Sequence, residues 1–194
     1  VTTVRFHLDQ LVSGGYLVTA FERTPRVGRP RKLYAAPHLD PEAETETQRH
    51  YQVLAGLLAG GTALGWLVLS GLMYAYHRSV HAVPLLWRLT HQLHHSPQRV
   101  DISGSVLFHP IEMALQVLLQ MFVTVVALGL DPLAAALTGY VAAFHALFQH
   151  WNVRTPQWLG WLIQRPEAHC EHHRRGVHAN NYGDLPLWDI LLGT

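Results

Sequence analysis

The chain has 194 residues, enough for one domain with a sizeable core. About half of them are hydrophobic and only 14% are charged, well below the roughly 25% of an average soluble protein. A net charge of +1 argues against a nucleic-acid partner, and a single cysteine, Cys170, excludes an intrachain disulfide and a four-cysteine iron–sulfur site. Fifteen histidines are the excess that needs explaining.

Residues 1–20 are mildly apolar but carry Arg5, His7 and Asp9, too polar for a spanning helix. Residues 21–50 combine Arg23, Arg26, Arg29, Arg31 and Lys32 with prolines and an acidic patch, and read as a polar surface loop, partly disordered. From Gln52 to Tyr76 there is no charge, and the run supplies the ~20 apolar residues of a membrane span. Its glycines at 56, 60, 61, 65 and 71 would weaken a soluble helix but let helices approach closely in lipid.

The stretch from Tyr76 to Ser96 holds His77, His81, His91, His94 and His95. Residues 111–130 form a second apolar helix with polar Glu112, Gln116 and Gln120. Asp131-Pro132 makes a turn, and 133–149 form a third helix that returns the chain to the same side, beside His150. Residues 154–194 are a soluble-looking tail with Trp158, Trp161 and Trp188 suited to an interface, and with the second cluster, His169, His172 and His173. The fold class expected is all-α, an integral membrane helical bundle with a histidine-rich dimetal site at its cytoplasmic face. The many arginines on the histidine side favour that face. The six basic residues of the 21–50 loop conflict with it, unless 52–76 folds as a shallow hairpin at its glycines.

His77 and His81 lie at i, i+4, and each triplet lies at i, i+3, i+4, so helices would present each set on one face. Eight nitrogen ligands exceed the needs of one tetrahedral zinc and imply two metals, for which imidazole suits iron, copper, nickel or zinc. The spans are nearly bare of ionisable groups, which favours a fixed cofactor over a transport path. No H-E-x-x-H zinc-protease motif and no pair of E-x-x-H motifs is present. Glu171 and Cys170 fall off the ligand face of the last triplet.

H-R-S-V-H, L-W-R-L-T-H-Q-L-H-H-S, H-W-N-V, R-P-E-A-H-C-E-H-H and N-Y-G-D-L-P-L-W-D-I-L-L-G-T, in this order, resemble the fatty acid hydroxylase/sterol desaturase superfamily over roughly Gln52 to Thr194. The resemblance implies a domain at 52–194, preceded by a polar segment at 1–51 that is the remnant of a preceding transmembrane region. It implies a membrane-bound oxygenase with two iron ions as a di-iron centre, O2 as co-substrate and electrons from a separate electron-transfer protein. The substrate implied is a lipid or sterol-like molecule, hydroxylated or desaturated at an unactivated C–H.

Box by box, the resemblance gives His77 and His81, then His91, His94 and His95, then His169, His172 and His173 as metal ligands, and it adds His150. His145 and His109 are weaker candidates, His109 as part of a structural H-P element, and His178 is a neighbour of the site. Asn181, Tyr182, Asp184 and Asp189 orient ligands or build the closing turn. His7, His38 and His50 read as surface residues. Relatives carry more membrane-spanning sequence before the first box and continue past Thr194, which implies that the sequence is truncated. The rival readings are a non-catalytic metal-binding membrane protein and a soluble zinc hydrolase.

Overall fold

The computed structural model describes residues 2–21, 32–35 and 41–194. The chain divides into two compact units, Val1–Val53 and Leu54–Thr194.

The first unit contains helix α1 (Thr2–Ser13) and a two-stranded antiparallel hairpin of β1 (Val18–Phe21) and β2 (Lys32–Ala35), with Val18 opposite Ala35 and Phe21 opposite Lys32. Asp9 of α1 accepts hydrogen bonds from Lys32 Nζ and from the Tyr34 hydroxyl, tying the helix to β2. The chain is mostly helical, in line with the all-α expectation, and this small sheet is the departure from it among the described residues. The expected loop over 21–50 is corrected, since its last ten residues belong to helix α2. The rest of that loop, including Arg23 to Arg31 and His38, lies outside the described residues apart from Phe21 and the β2 strand.

α2 (Pro41–Ala82) is one continuous helix, so no hairpin forms at its glycines. α3 (Pro84–Leu86) runs on into a π turn at Trp87–His91, and α4 (Pro110–Met121) into a π turn at Phe122–Ala127. α5 (Pro132–Gln149), α6 (Pro166–His172) and α7 (Pro186–Leu192) complete the second unit. Each of the helices from α2 to α7 begins with proline, whose fixed φ suits the first helical position and whose missing N–H costs nothing there. The side chain of Asp131 caps α5 by accepting from Leu133 N (2.8 Å), and His109 caps α4 through Ile111 N (3.3 Å). Gly129 at φ +56 turns the chain between α4 and α5.

Glycine decides where the helices meet. A Cβ on Gly65 would fall 2.6 Å from Thr138 Oγ1 of α5, and one on Gly71 would fall 2.9 Å from the Trp188 ring of α7. These contacts seat α5 and α7 on α2, and Trp188 Nε1 donates to Ser70 Oγ at 2.9 Å beside the second of them. Trp188 is therefore a packing residue rather than the interfacial anchor its sequence context suggested, whereas Trp158 and Trp161 are exposed. Among the described residues, two helices, Thr45–Ala82 and Pro110–Ala127, are long and apolar enough to cross a membrane by length and composition. Their outward positions, such as Leu57, Leu64, Leu118 and Val126, are exposed.

Candidate metal centre

All nine histidines expected as ligands come from helix ends and turns, where side chains from different segments can converge. His77 and His81 occupy the last turns of α2. His91 closes the π turn after α3, and His94 and His95 follow in a turn rather than on a regular helix. The π turn adds one residue to the helical repeat and re-aims the side chains at its end. His150 terminates α5, and α6 supplies His169 and His172, with His173 as its C-terminal cap.

All nine meet in two groups. His77, His81, His91, His95 and His172 form one, and His94, His150, His169 and His173 form the other, with one nitrogen from each residue inside 4.8 Å of the rest of its group. Each triplet is divided between them. The i, i+4 pair His91 and His95 joins the five-histidine group while His94 crosses to the four. His169 and His173 join the four while His172 crosses to the five. The two groups adjoin, with His95 stacked on His173 at 4.0 Å between ring centroids.

The outer nitrogens are fixed by acceptors. His77 Nδ1–H donates to Tyr182 O (2.8 Å), His172 Nδ1–H to Asn180 O (2.8 Å) and His150 Nδ1–H to Ala146 O (2.8 Å). His91 Nδ1–H donates to Glu112 Oε1 at 2.6 Å, and the Glu112 side chain is fully buried. A neutral imidazole that donates from Nδ1 presents a lone pair at Nε2. Four rings therefore turn lone pairs inward, and those of His77 and His91 lie 3.0 Å apart. His172 Nε2 is buried with no hydrogen-bond partner among the described residues. Two lone pairs at that distance repel unless a cation lies between them, so the donor set fits metal ions held by neutral imidazole.

Burial drives the same conclusion. Desolvation, reinforced by neighbouring histidines, holds His91, His94, His95, His169 and His172 far below the ordinary imidazole value, and His173 at about 3. All six are neutral at physiological pH, the form that binds metal.

The closing motif supplies the acceptors. Asn180 and Asn181 adopt φ of +66 and +54, and this left-handed turn brings the Asn180 and Tyr182 carbonyls to His172 and His77. Asp189 of α7 accepts from the backbone N–H of Tyr182 and Gly183 (2.9 and 3.1 Å), and Asn181 Nδ2 donates to Ala168 O of α6 (3.1 Å). Asp184, pushed up to about 6 by burial, accepts from Gln149 Nε2 at 2.7 Å.

The weaker candidates fall outside both groups. His109 caps α4, and His145 is buried against the Trp66 ring with centroids 4.7 Å apart. His178 places Nδ1 3.2 Å from His95 Nδ1 and so sits against the five-histidine group. Cys170 is exposed, Glu171 pairs with Arg174 on the surface, and His7 and His50 are exposed. Sequence reading gave Glu112, a polar residue in an apolar helix and a carboxylate near the candidate sites, no partner. A carboxylate two residues inside an H-P helix start was the signal available, but its contact with His91, 21 positions away, depends on tertiary folding.

A cavity of about 340 Å³ opens beside both groups between α2, α4 and α5. His91, His94, His150 and His169 stand at its histidine end, and Leu69, Met73, Val117, Ala142 and Ala143 line its apolar length. Its size lies at the lower end of the range of small-molecule sites.

Comparison with known proteins agrees with this geometry. The ornithine lipid hydroxylase OlsE of Rhizobium tropici is 35% identical over 143 residues, which are 71% of this chain and 42% of that protein. The chain thus spans less than half the length of this curated relative. No solved structure matches. The family described as fatty acid hydroxylase matches residues 62–194, a stretch that contains all nine clustered histidines, and the chain belongs to that family.

Proposed function

We propose that the chain is the histidine-bearing part of a membrane-bound, O2-dependent di-iron oxidoreductase that hydroxylates an unactivated C–H of a lipid. The observation that carries this reading is the inward lone pairs of His77, His91, His150 and His172, fixed by acceptors behind them, in two adjoining groups of five and four. Five imidazoles exceed what a closed tetrahedral zinc site uses, which favours iron in the first group. His77, His81, His91, His95 and His172 would hold one ion, and His94, His150, His169 and His173 the other. When bound, the irons supply O2 activation and C–H oxidation, with electrons from a separate protein.

The chain's own part is positioning. Glu112 holds the His91 ring and raises its basicity, and the Tyr182 and Asn180 carbonyls do the same for His77 and His172. The apolar cavity between α2, α4 and α5 excludes water and leads a lipid chain to the histidines. Its surroundings support a membrane setting, because the outward faces of α2 and α4 expose leucines and valines that water would disfavour. The arginines of the histidine side favour placing the site at the cytoplasmic face.

The test is elemental analysis of detergent-purified protein, with lipid extracts of the expressing cells compared by mass spectrometry. About two irons per chain, and a lipid that gains one oxygen atom only with O2, reductant and an intact His172, are the expected results. Bound metal without any oxygenated lipid would favour the non-catalytic metal-binding reading.

A further inference from the structure

On α4, Glu112, Gln116 and Gln120 recur at every fourth residue, and all three line the cavity. Between them only Met113 and Val117 face it. This is a polar stripe on a helix whose other positions are almost entirely apolar, and polar side chains placed so within an apolar span are costly unless they are used. At 1.5 Å per residue the stripe rises ~12 Å from Glu112, beside His91, to Gln120.

Gln120 sits at the far end against α5. A Cβ on Gly139 would come within 2.3 Å of Gln120 Nε2, so only glycine leaves the amide its place there. Gln116 spends its amide on a long contact to Glu112 Oε1, at 3.4 Å. The Gln120 side-chain amide has no hydrogen-bond partner among the described residues, although its backbone carbonyl accepts from Thr124 Oγ1. A plain hydrocarbon filling the cavity would strip water from that amide and return nothing.

We propose that Gln120, seated on Gly139, is a specificity-determining residue that hydrogen-bonds an amide or ester carbonyl carried by the lipid chain, about two helical turns from the histidines. The proposal rests on the reading of the chain as a lipid hydroxylase and narrows its substrate. The occupant is a chain with a polar linkage inside the cavity, rather than an unfunctionalised alkane or a purely apolar ring system.

The test offers deuterated N-methyldodecanamide and deuterated tetradecane together to the iron-loaded chain in nanodiscs, and counts each probe retained over empty discs. The two probes match in length and differ in one amide. The wild type is expected to retain the amide over the alkane by up to about tenfold, the worth of one hydrogen bond. Gln120→Leu is expected to erase that preference while keeping its iron, and Gln120→Met serves the same purpose should the leucine variant lose iron. Gly139→Ala, which drives the amide into the cavity, is expected to lower retention of both probes.

Equal retention by the wild type, or an unchanged preference in Gln120→Leu, overturns the proposal and leaves the hydroxylase reading standing. Retention of neither probe overturns both the proposal and the cavity as a lipid site. The oxygenated lipid sought above then decides the hydroxylase reading by itself.

Discussion

His91 and Glu112 lie 21 residues apart and form the shortest polar contact at the histidine site, 2.6 Å from Nδ1 to Oε1 with the carboxylate fully buried. Such a carboxylate fixes the ring's tautomer and strengthens it as a ligand, and losing one typically costs 10- to 100-fold in metal affinity. Glu112→Leu is therefore expected to weaken iron at the five-histidine group by about 10- to 100-fold. Glu112→Gln keeps an acceptor for His91 and is expected to lose less. Chelator competition on the purified variants reads both effects, and equal iron retention in Glu112→Leu and wild type would remove Glu112 from the site's support.

The division of each triplet makes a second prediction. His172 and His173 are neighbours in sequence but belong to different groups. His172→Ala is expected to release the ion of the five-histidine group and His173→Ala that of the four, each leaving close to one iron per chain. Their spectroscopic signatures should differ, because the ion left behind has a different ligand set. Identical residual spectra would mean that the triplets bind as units.

Much of this was legible in the sequence because it is local. The i, i+4 and i, i+3 spacings singled out the histidines that converge, and apolar runs marked the long helices. What was not legible is tertiary. Spacing placed His91, His94 and His95 on one face, but the π turn at Trp87–His91 and the turn after it send His94 away from its neighbours. The hairpin of β1 and β2 is too short for a periodic signal, and polar residues 41–50 gave no hint that the apolar helix begins ahead of them. The roles of Tyr182 and Asn180 rest on backbone carbonyls, which no side-chain identity encodes.

Acid should dismantle the site. Burial depresses the folded-state pKa of His91, His94, His95, His169, His172 and His173 below the ordinary 6.5. A depressed pKa means that the unfolded chain binds more protons, so the folded state keeps its full stability above about 6.5 and loses it progressively as pH falls below that value. For His173 the loss continues down to about 3. Asp184, raised to about 6, and Asp189, also raised by burial, have the opposite sign and favour the fold as pH falls, but they are two groups against six. Metal release adds to the effect, because protons compete for the same nitrogens. Thermal melts and bound iron, followed as pH is lowered from neutrality, should fall together. A metal-free melting temperature that is flat or rises on acidification would contradict it.

Two glycines of α2 give a paired test of the packing. A Cβ on Gly71 would meet the Trp188 ring at 2.9 Å, and the ring's Nε1 is held by Ser70, so it cannot retreat without breaking that hydrogen bond. Gly71→Ala should displace α7 and cost about 1–3 kcal/mol as an overpacked contact. The cost should reach the metal centre, because Asp189 on the same helix holds the Tyr182 and Gly183 backbone whose carbonyl neighbour orients His77. Gly60, with nothing within 4 Å of an added Cβ, offers the opposite case on the same helix. Gly60→Ala removes glycine's backbone entropy and should be neutral or stabilising by up to about 1 kcal/mol. Melting temperature and iron content measured together on both variants check the pair, with both quantities falling in Gly71→Ala and neither falling in Gly60→Ala.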